Sequence, residues 1–212
     1  LTATTSNVFA YSTNGVTWNQ GINNSTMIIG NSVSWNGLKW IATGVNSSNE
    51  SIFSTSTDGI TWNPNTYTMN IVVNNIIWSG TMFVGLGKSY SSTLQNIFTY
   101  SYDGYSWNNG NGITNGILIG NSISYDGSKY VAVGSNTTGS LNTSTVFGNS
   151  YDGITWSGGI TSPTITTGYS IVWNGTLFVA GGNISSPAIP AVGSVFVYSS
   201  NGINWSSTTS PS

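Results

Sequence analysis

The sequence predicts an all-β fold, a β-propeller of four-stranded antiparallel blades, on three observations. One hairpin signal ending in Trp recurs at intervals of 44, 45, 49 and 49 residues. A second hairpin signal alternates with it along the chain. No segment sustains the apolar period of about 3.6 residues that an amphipathic helix requires.

The first signal occurs five times, as Ser12-Thr-Asn-Gly-Val-Thr-Trp18, Ser56-Thr-Asp-Gly-Ile-Thr-Trp62, Ser101-Tyr-Asp-Gly-Tyr-Ser-Trp107, Ser150-Tyr-Asp-Gly-Ile-Thr-Trp156 and Ser199-Ser-Asn-Gly-Ile-Asn-Trp205. The second occurs four times, beginning Val33-Ser-Trp-Asn-Gly, Ile76-Ile-Trp-Ser-Gly, Ile123-Ser-Tyr-Asp-Gly and Ile171-Val-Trp-Asn-Gly, each followed by an aromatic and a β-branched residue. Asn-Gly and Asp-Gly tolerate the positive φ angles of a tight turn, so both signals are expected to be hairpins with two-residue turns. Their flanks are β-branched or aromatic residues alternating with small polar ones, the period of a strand.

Two hairpins in about 45 residues make one propeller blade. We label the strands of the Trp-Asn-Gly hairpin A and B, and those of the Ser-x-Asp-Gly hairpin C and D. Residues 1–212 then form a single domain, with an N-terminal half-blade (C and D only) at 7–20 and four full blades at about 31–64, 74–109, 121–158 and 169–207. The arrangement is expected to be a five-bladed ring or part of a larger one. The half-blade's inner strands would lie upstream of Leu1, come from another copy, or be absent. The motif tryptophans, identical in place in every repeat, are expected to pack between blades, as are Trp40, Phe83, Tyr130 and Phe178 on strand B.

Composition narrows the chemistry. Charged residues are only 4% of the chain (three Lys, one Glu, four Asp, no Arg), aromatic residues are 13%, and there is neither Cys nor His. The aromatic content can fill a core, unlike that of a disordered chain. Thiolate metal sites, disulfides and histidine acid–base chemistry are excluded. Nucleic-acid binding is not expected without a basic patch, and membrane insertion is not expected without a long apolar span. Each Asp (Asp58, Asp103, Asp126, Asp152) begins an Asp-Gly turn, where its carboxylate accepts local backbone hydrogen bonds. Glu50 therefore has no acidic partner for glycosidase chemistry. No metal or cofactor is expected.

The Ser-x-Asp-Gly-x-Thr-Trp hairpin resembles the Asp-box, or BNR-type, repeat of sialidase-like propellers. It is one residue shorter between Asp and Gly, and two copies carry Asn14 and Asn201 instead of Asp. Paired with the Trp-Asn-Gly hairpin, it is also similar to repeats of uncharacterised phage, giant-virus and bacterial surface proteins. The resemblance covers nearly the whole chain and implies a propeller in which this hairpin is structural. Sialidase-type enzymes hold the substrate carboxylate with clustered arginines, and this chain has none. It is not expected to be an enzyme.

Function is expected on the face that carries the long, variable B–C and D–A connections, the B–C ones being 46–51, 88–96, 135–145 and 183–194. Candidate ligand-binding residues are Asn31, Asn74, Asn121 and Tyr169, which enter the innermost strand of each blade, and Tyr67 and Tyr90, aromatic residues that packing alone does not demand. Carboxamides and a phenol can recognise sugar hydroxyls without charge. The expected function is a non-enzymatic binding module on a virion or cell surface for a neutral ligand such as a glycan or surface receptor. The alternative is a structural subunit of a fibre, surface layer or virion appendage that self-associates or joins other subunits through the half-blade edge. Lys39 and Lys129 are expected to be solvated strand positions.

Overall fold

A computed structural model describes residues 8–90, 96–112, 117–136, 145–161, 165–183 and 195–207. It is an all-β propeller arc. The half-blade pairs β1 (Ala10–Tyr11) with β2 (Asn19–Gln20). The first blade holds β4 (Ile29–Trp35), β5 (Trp40–Val45), β6 (Ser51–Ser56) and β7 (Thr61–Asn65), hydrogen-bonded in that order. The second holds β8 (Ile71–Trp78), β9 (Phe83–Ser89), β10 (Phe98–Ser101) and β11 (Asn108–Asn109). The third holds β12 (Ile119–Tyr125), β13 (Tyr130–Ser135), β14 (Thr145–Ser150) and β15 (Ser157–Thr161). The fourth holds β16 (Thr167–Trp173), β17 (Phe178–Asn183), β18 (Val195–Ser199) and β19 (Ser206–Ser207).

Pairing within each blade is antiparallel. One strand was not foreseen. After the half-blade, β3 (Ile22–Asn23) crosses to the first blade and pairs in parallel with its outer strand, Ile22 opposite Thr61. The Asn111–Thr155 bridge repeats this between the second and third blades.

The turns differ from the expected two-residue form. The A–B loops hold four residues, as between the paired Trp35 and Trp40, and Asn36 N–H bonds the Lys39 carbonyl at 3.1 Å. The C–D loops hold seven, as between Thr55 and Asn63, so the Ser-x-Asp-Gly heptapeptide is itself the loop. Its side chains replace the missing ladder bonds. Asp58 Oδ1 accepts from Ile60 N–H, Thr61 N–H and the Ser56 hydroxyl, each at 2.8 Å, and Gly59 N–H donates to Ser56 Oγ at 2.9 Å. The Asn copies do the same, with Asn201 Oδ1 accepting from Ile203 and Asn204 N–H at 2.9 and 2.8 Å. Glycine takes positive φ in all nine hairpins, from 68° at Gly202 to 101° at Gly127, while the Asp, Asn or Ser before it does not. A type I′ turn needs positive φ at both central residues, so that geometry is absent.

The heptapeptide loop delivers its Trp to the neighbouring blade. A strand-C Phe of each blade stacks on the motif Trp of the next. The pairs are Phe9–Trp62, Phe53–Trp107, Phe98–Trp156 and Phe147–Trp205, with ring centroids 3.9 to 4.4 Å apart. Each seam also buries strand-A and strand-B apolar residues, such as Ile41, Ile76 and Phe83 between the first and second blades. Trp18 is the exception among the motif tryptophans at 63% exposed, with no blade before it in the described residues. The inner strands β4, β8, β12 and β16 pack in succession, and the fourth blade makes no extended contact with the half-blade among the described residues.

Candidate functional site

Asn31, Asn74 and Asn121 sit at equivalent β-bulges, where the A–B register slips at Gly30/Ser32, Val73/Asn75 and Gly120/Ser122. A bulge re-aims one side chain out of the ladder. Here each carboxamide crosses to the following blade. Asn31 Nδ2 donates to the Val73 carbonyl at 3.0 Å, Asn74 Nδ2 to Gly120 at 2.9 Å, and Asn121 Nδ2 to Gly168 at 2.8 Å. The acceptor is always the residue just before the next bulge. The three side chains thus form a staircase joining the inner strands. Tyr169 holds the same bulge in the fourth blade and is 59% exposed.

The residue after each bulge makes a second bond across the seam. Ser32 Oγ accepts from Ile76 N–H at 3.2 Å, Asn75 Oδ1 from Ile123 N–H at 3.0 Å, and Ser122 Oγ from Ile171 N–H at 3.3 Å.

The lysines are not the solvated positions expected. Lys129 is buried, and its Nζ donates to the Asn201 carbonyl of the fourth blade at 2.7 Å. Lys39 Nζ donates to the Asp103 carbonyl of the second blade at 3.1 Å and lies 4.0 Å from the Tyr105 ring centroid. A Lys stem spans apolar surface while its head reaches a polar acceptor. That makes this position a clamp between blades.

Tyr90 braces a long connection. Its hydroxyl donates to the Asn49 carbonyl at 2.6 Å, tying the second blade to the 46–50 loop of the first, and burial pushes its pKa up. Asn46 organises that loop, its Oδ1 accepting from Ser48 and Glu50 N–H at 2.9 Å and its Nδ2 donating to Glu50 Oε2 at 2.7 Å. Most of the other three B–C connections, 91–95, 137–144 and 184–194, lies outside the described residues.

Tyr67 lines a cleft of about 380 Å³ with Pro64, Asn65, Thr66, Tyr105 and Ser106, at the outer seam between the first and second blades. This seam departs from its neighbours. At the two adjacent seams the connector backbone binds the loop of the next blade, with Ile22 N–H on the Ile60 carbonyl at 2.7 Å and Asn111 N–H on Ile154 at 2.8 Å. Here β7 runs on through Pro64 to Asn65. Asn65 Nδ2 instead donates to the Gly104 and Tyr105 carbonyls at 3.0 and 3.2 Å. In the first and third blades the corresponding Gly carbonyl accepts the motif indole N–H, from Trp62 at 3.3 Å and Trp156 at 3.2 Å. Trp107 Nε1, like that of Trp205, is buried with no partner in the structure.

Two tyrosines flank the opening, Tyr67 at 38% and Tyr105 at 50% exposure. Tyr105 was not singled out from the sequence. The signal was there, because it replaces Val16, Ile60, Ile154 and Ile203 of the other heptapeptides. The cleft offers two phenol rings, the hydroxyls of Thr66 and Ser106 and a carboxamide, and no carboxylate lines it.

The acidic residues are held in their loops. Hydrogen bonds from Thr61 and Ile60 N–H hold the Asp58 pKa at about 2. At Asp103 and Asp152 burial pushes the carboxyl up, but the backbone and Ser hydrogen bonds together outweigh it and leave the pKa lowered. Among the described residues no group of three or more His, Cys, Asp or Glu could hold a metal ion.

No protein-family model and no curated protein matches the chain. Solved structures do. An ancestral GH74 enzyme superposes with a TM-score of 0.68 at 15% identity over 96% of this chain, which spans 28% of that enzyme. A chain of the nidogen/laminin complex gives a TM-score of 0.62 at 7% identity, over 90% of this chain and 68% of that one. Both are propellers, and at such identities the likeness establishes the β-propeller fold and nothing finer.

Proposed function

We propose that the chain is a non-catalytic binding propeller of a virion or cell surface, recognising a neutral ligand of the glycan type. The candidate platform is the cleft at the seam of the first and second blades, with Tyr67 and Tyr105 as stacking surfaces and Ser106 as a polar contact. The supporting observation is the local break in the repeat. Asn65 binds the loop of the next blade through its side chain, and Tyr105 stands where the other loops carry an aliphatic residue. Packing does not account for the exposed Tyr67 ring, and although Lys39 Nζ lies over the Tyr105 ring, the cleft is lined by aromatic and uncharged side chains, which suit a polyol ring. A resemblance to Asp-box surface repeats supports the same assignment. The GH74 neighbour is an enzyme, but the likeness is one of fold.

The bulge carboxamides are committed to neighbouring blades through Nδ2, which makes them supports of the scaffold. Tyr90 stiffens a connection. Tyr169, exposed at the end of the arc, remains a candidate contact.

The test is binding of the full chain to an array of neutral oligosaccharides. A glycan that binds wild type and loses at least about tenfold in affinity, roughly 1.4 kcal/mol, with Tyr67→Ala and with Tyr105→Ala supports the assignment. Absence of any binder, or binders indifferent to both changes, overturns it.

A structural role in a fibre, layer or appendage is the second proposal. It is favoured by the apolar residues exposed at the two ends of the arc, Val16 and Trp18 at one and Val172 and Phe196 at the other. Subunit contacts above roughly 1,000 Å² at those ends would support it.

A further inference from the structure

Four of the nine hairpin loops turn on Asn-Gly, at Asn14, Asn36, Asn174 and Asn201. We propose that two of them, Asn36 and Asn174, are sites of spontaneous modification, where the side-chain amide becomes a carboxylate through a cyclic imide. The proposal is independent of the glycan assignment.

The carbon under attack is arranged alike in all four loops. Each Asn side chain folds back over its own turn, and Oδ1 accepts the N–H groups of the second and third residues on. For Asn36 these donors are Leu38 and Lys39, and for Asn174 they are Thr176 and Leu177, at 2.9 and 2.8 Å in each case. Asn14 and Asn201 receive theirs from Val16 and Thr17 and from Ile203 and Asn204, again at 2.9 and 2.8 Å. Two N–H donors at such distances stabilise the negative charge that builds on a carbonyl oxygen as a nucleophile adds.

The nucleophile is the backbone nitrogen of the following Gly, and here the loops divide. In the C–D loops it is held, with Gly15 N–H donating to Ser12 Oγ at 2.9 Å and Gly202 N–H to Ser199 Oγ at 2.8 Å. Such a bond favours the protonated amide and fixes its plane, and both oppose attack. Gly202 is also buried, and Lys129 Nζ clamps the Asn201 carbonyl at 2.7 Å. In the A–B loops Gly37 and Gly175 N–H donate to no acceptor among the described residues. Both glycines are exposed, and no atom lies within 4 Å of where a Cβ would stand. The nitrogen is free to turn toward Cγ.

The step balances with water as the only co-reactant. The Gly37 nitrogen gives its proton to solvent and bonds to Asn36 Cγ, and Nδ2 leaves as ammonia. Water then adds to one imide carbonyl and breaks its bond to that nitrogen. Opening at Cγ gives aspartate, and opening at the main-chain carbonyl gives isoaspartate.

The fold already accommodates the aspartate product. Asp126 holds the same place in the third blade, with Oδ1 accepting from Ser128 and Lys129 N–H at 2.7 and 2.6 Å. Conversion of Asn36-Gly-Leu-Lys39 reproduces the Asp126-Gly-Ser-Lys129 pattern. Each event adds one negative charge, so two take the net charge from −2 to −4. In a chain with so few charges, that is a large change in surface character.

The test incubates the full folded chain at mildly alkaline pH in water enriched in heavy oxygen. Digestion with an acid protease in ordinary water and peptide mapping by mass spectrometry then locate the label that imide hydrolysis leaves. Label is expected at Asn36 and Asn174 at least about tenfold faster than at Asn14 and Asn201. In the chain unfolded by urea, all four positions are expected to convert at comparable rates. Unlabelled Asn36 and Asn174, equal rates at the four positions of the folded chain, or the same preference in urea would overturn the proposal.

Discussion

Phe53 and Trp107 stack across the seam between the first and second blades, with ring centroids 4.4 Å apart and planes inclined by 24°. Phe53 comes from strand C of one blade and Trp107 from the heptapeptide loop of the next, so the contact joins two sheets that share no central hydrogen-bond ladder. Trp107 is 1% exposed and Trp18, in the same motif, 63% exposed. Trp107→Ala is therefore expected to cost about 3–5 kcal/mol, and Trp18→Ala to stay within about 0.5 kcal/mol. Denaturant unfolding of the two variants checks the contrast.

The carboxamide staircase gives a separate expectation. Asn74→Ala removes the donor to the Gly120 carbonyl and should destabilise the fold by about 1 kcal/mol. Bound by wild type, a glycan on the Tyr67–Tyr105 cleft should keep its affinity for that variant. Paired melting and binding measurements separate the two effects.

Acid should weaken the fold through the heptapeptide loops. The Asp58 carboxyl is lowered from 3.8 to about 2 in the folded chain, so the unfolded chain binds more protons in that interval. Stability from this group is complete above the ordinary value and is lost as pH falls through the folded one. Asp103 and Asp152 are shifted in the same direction. Asp58→Asn, which copies Asn14 and Asn201, should flatten the pH dependence of the melting temperature below pH of about 4 with little change at neutrality.

Lys129 tests whether the inter-blade clamp needs charge. Met82 holds the equivalent place in the second blade and packs against the Gly153 loop. Lys129→Met should cost less than about 1.5 kcal/mol, while Lys129→Ala, losing both the stem and the bond to Asn201, should cost about 2–3 kcal/mol. Thermal unfolding of both variants decides it.

The blade pattern was legible because the Trp period and the Asp-Gly and Asn-Gly pairs are local signals. The burial of Trp62, Trp107 and Trp156 followed from their repetition. The loop geometry was not legible, because dipeptide turn propensity takes no account of a side chain substituting for ladder bonds. Asp58 Oδ1 gathers two N–H groups and a hydroxyl, which frees seven residues from the ladder between strands C and D. Lys129 looked solvated because its acceptor is 72 residues away in sequence. The bulges that turn Asn31, Asn74 and Asn121 toward the next blade depend on a register slip invisible in the sequence alone. Tyr67 was legible as an oddity, but its partner Tyr105 showed only by comparison of the five heptapeptides position by position.

A crystal structure of the full chain at side-chain resolution tests the radial stacking of blades most directly. The expected result places Trp62, Trp107, Trp156 and Trp205 against Phe9, Phe53, Phe98 and Phe147 at centroid distances near the 3.9 to 4.4 Å given above, about a common axis. Those indoles in solvent, or hairpins laid out in a straight stack with no axis, would contradict it.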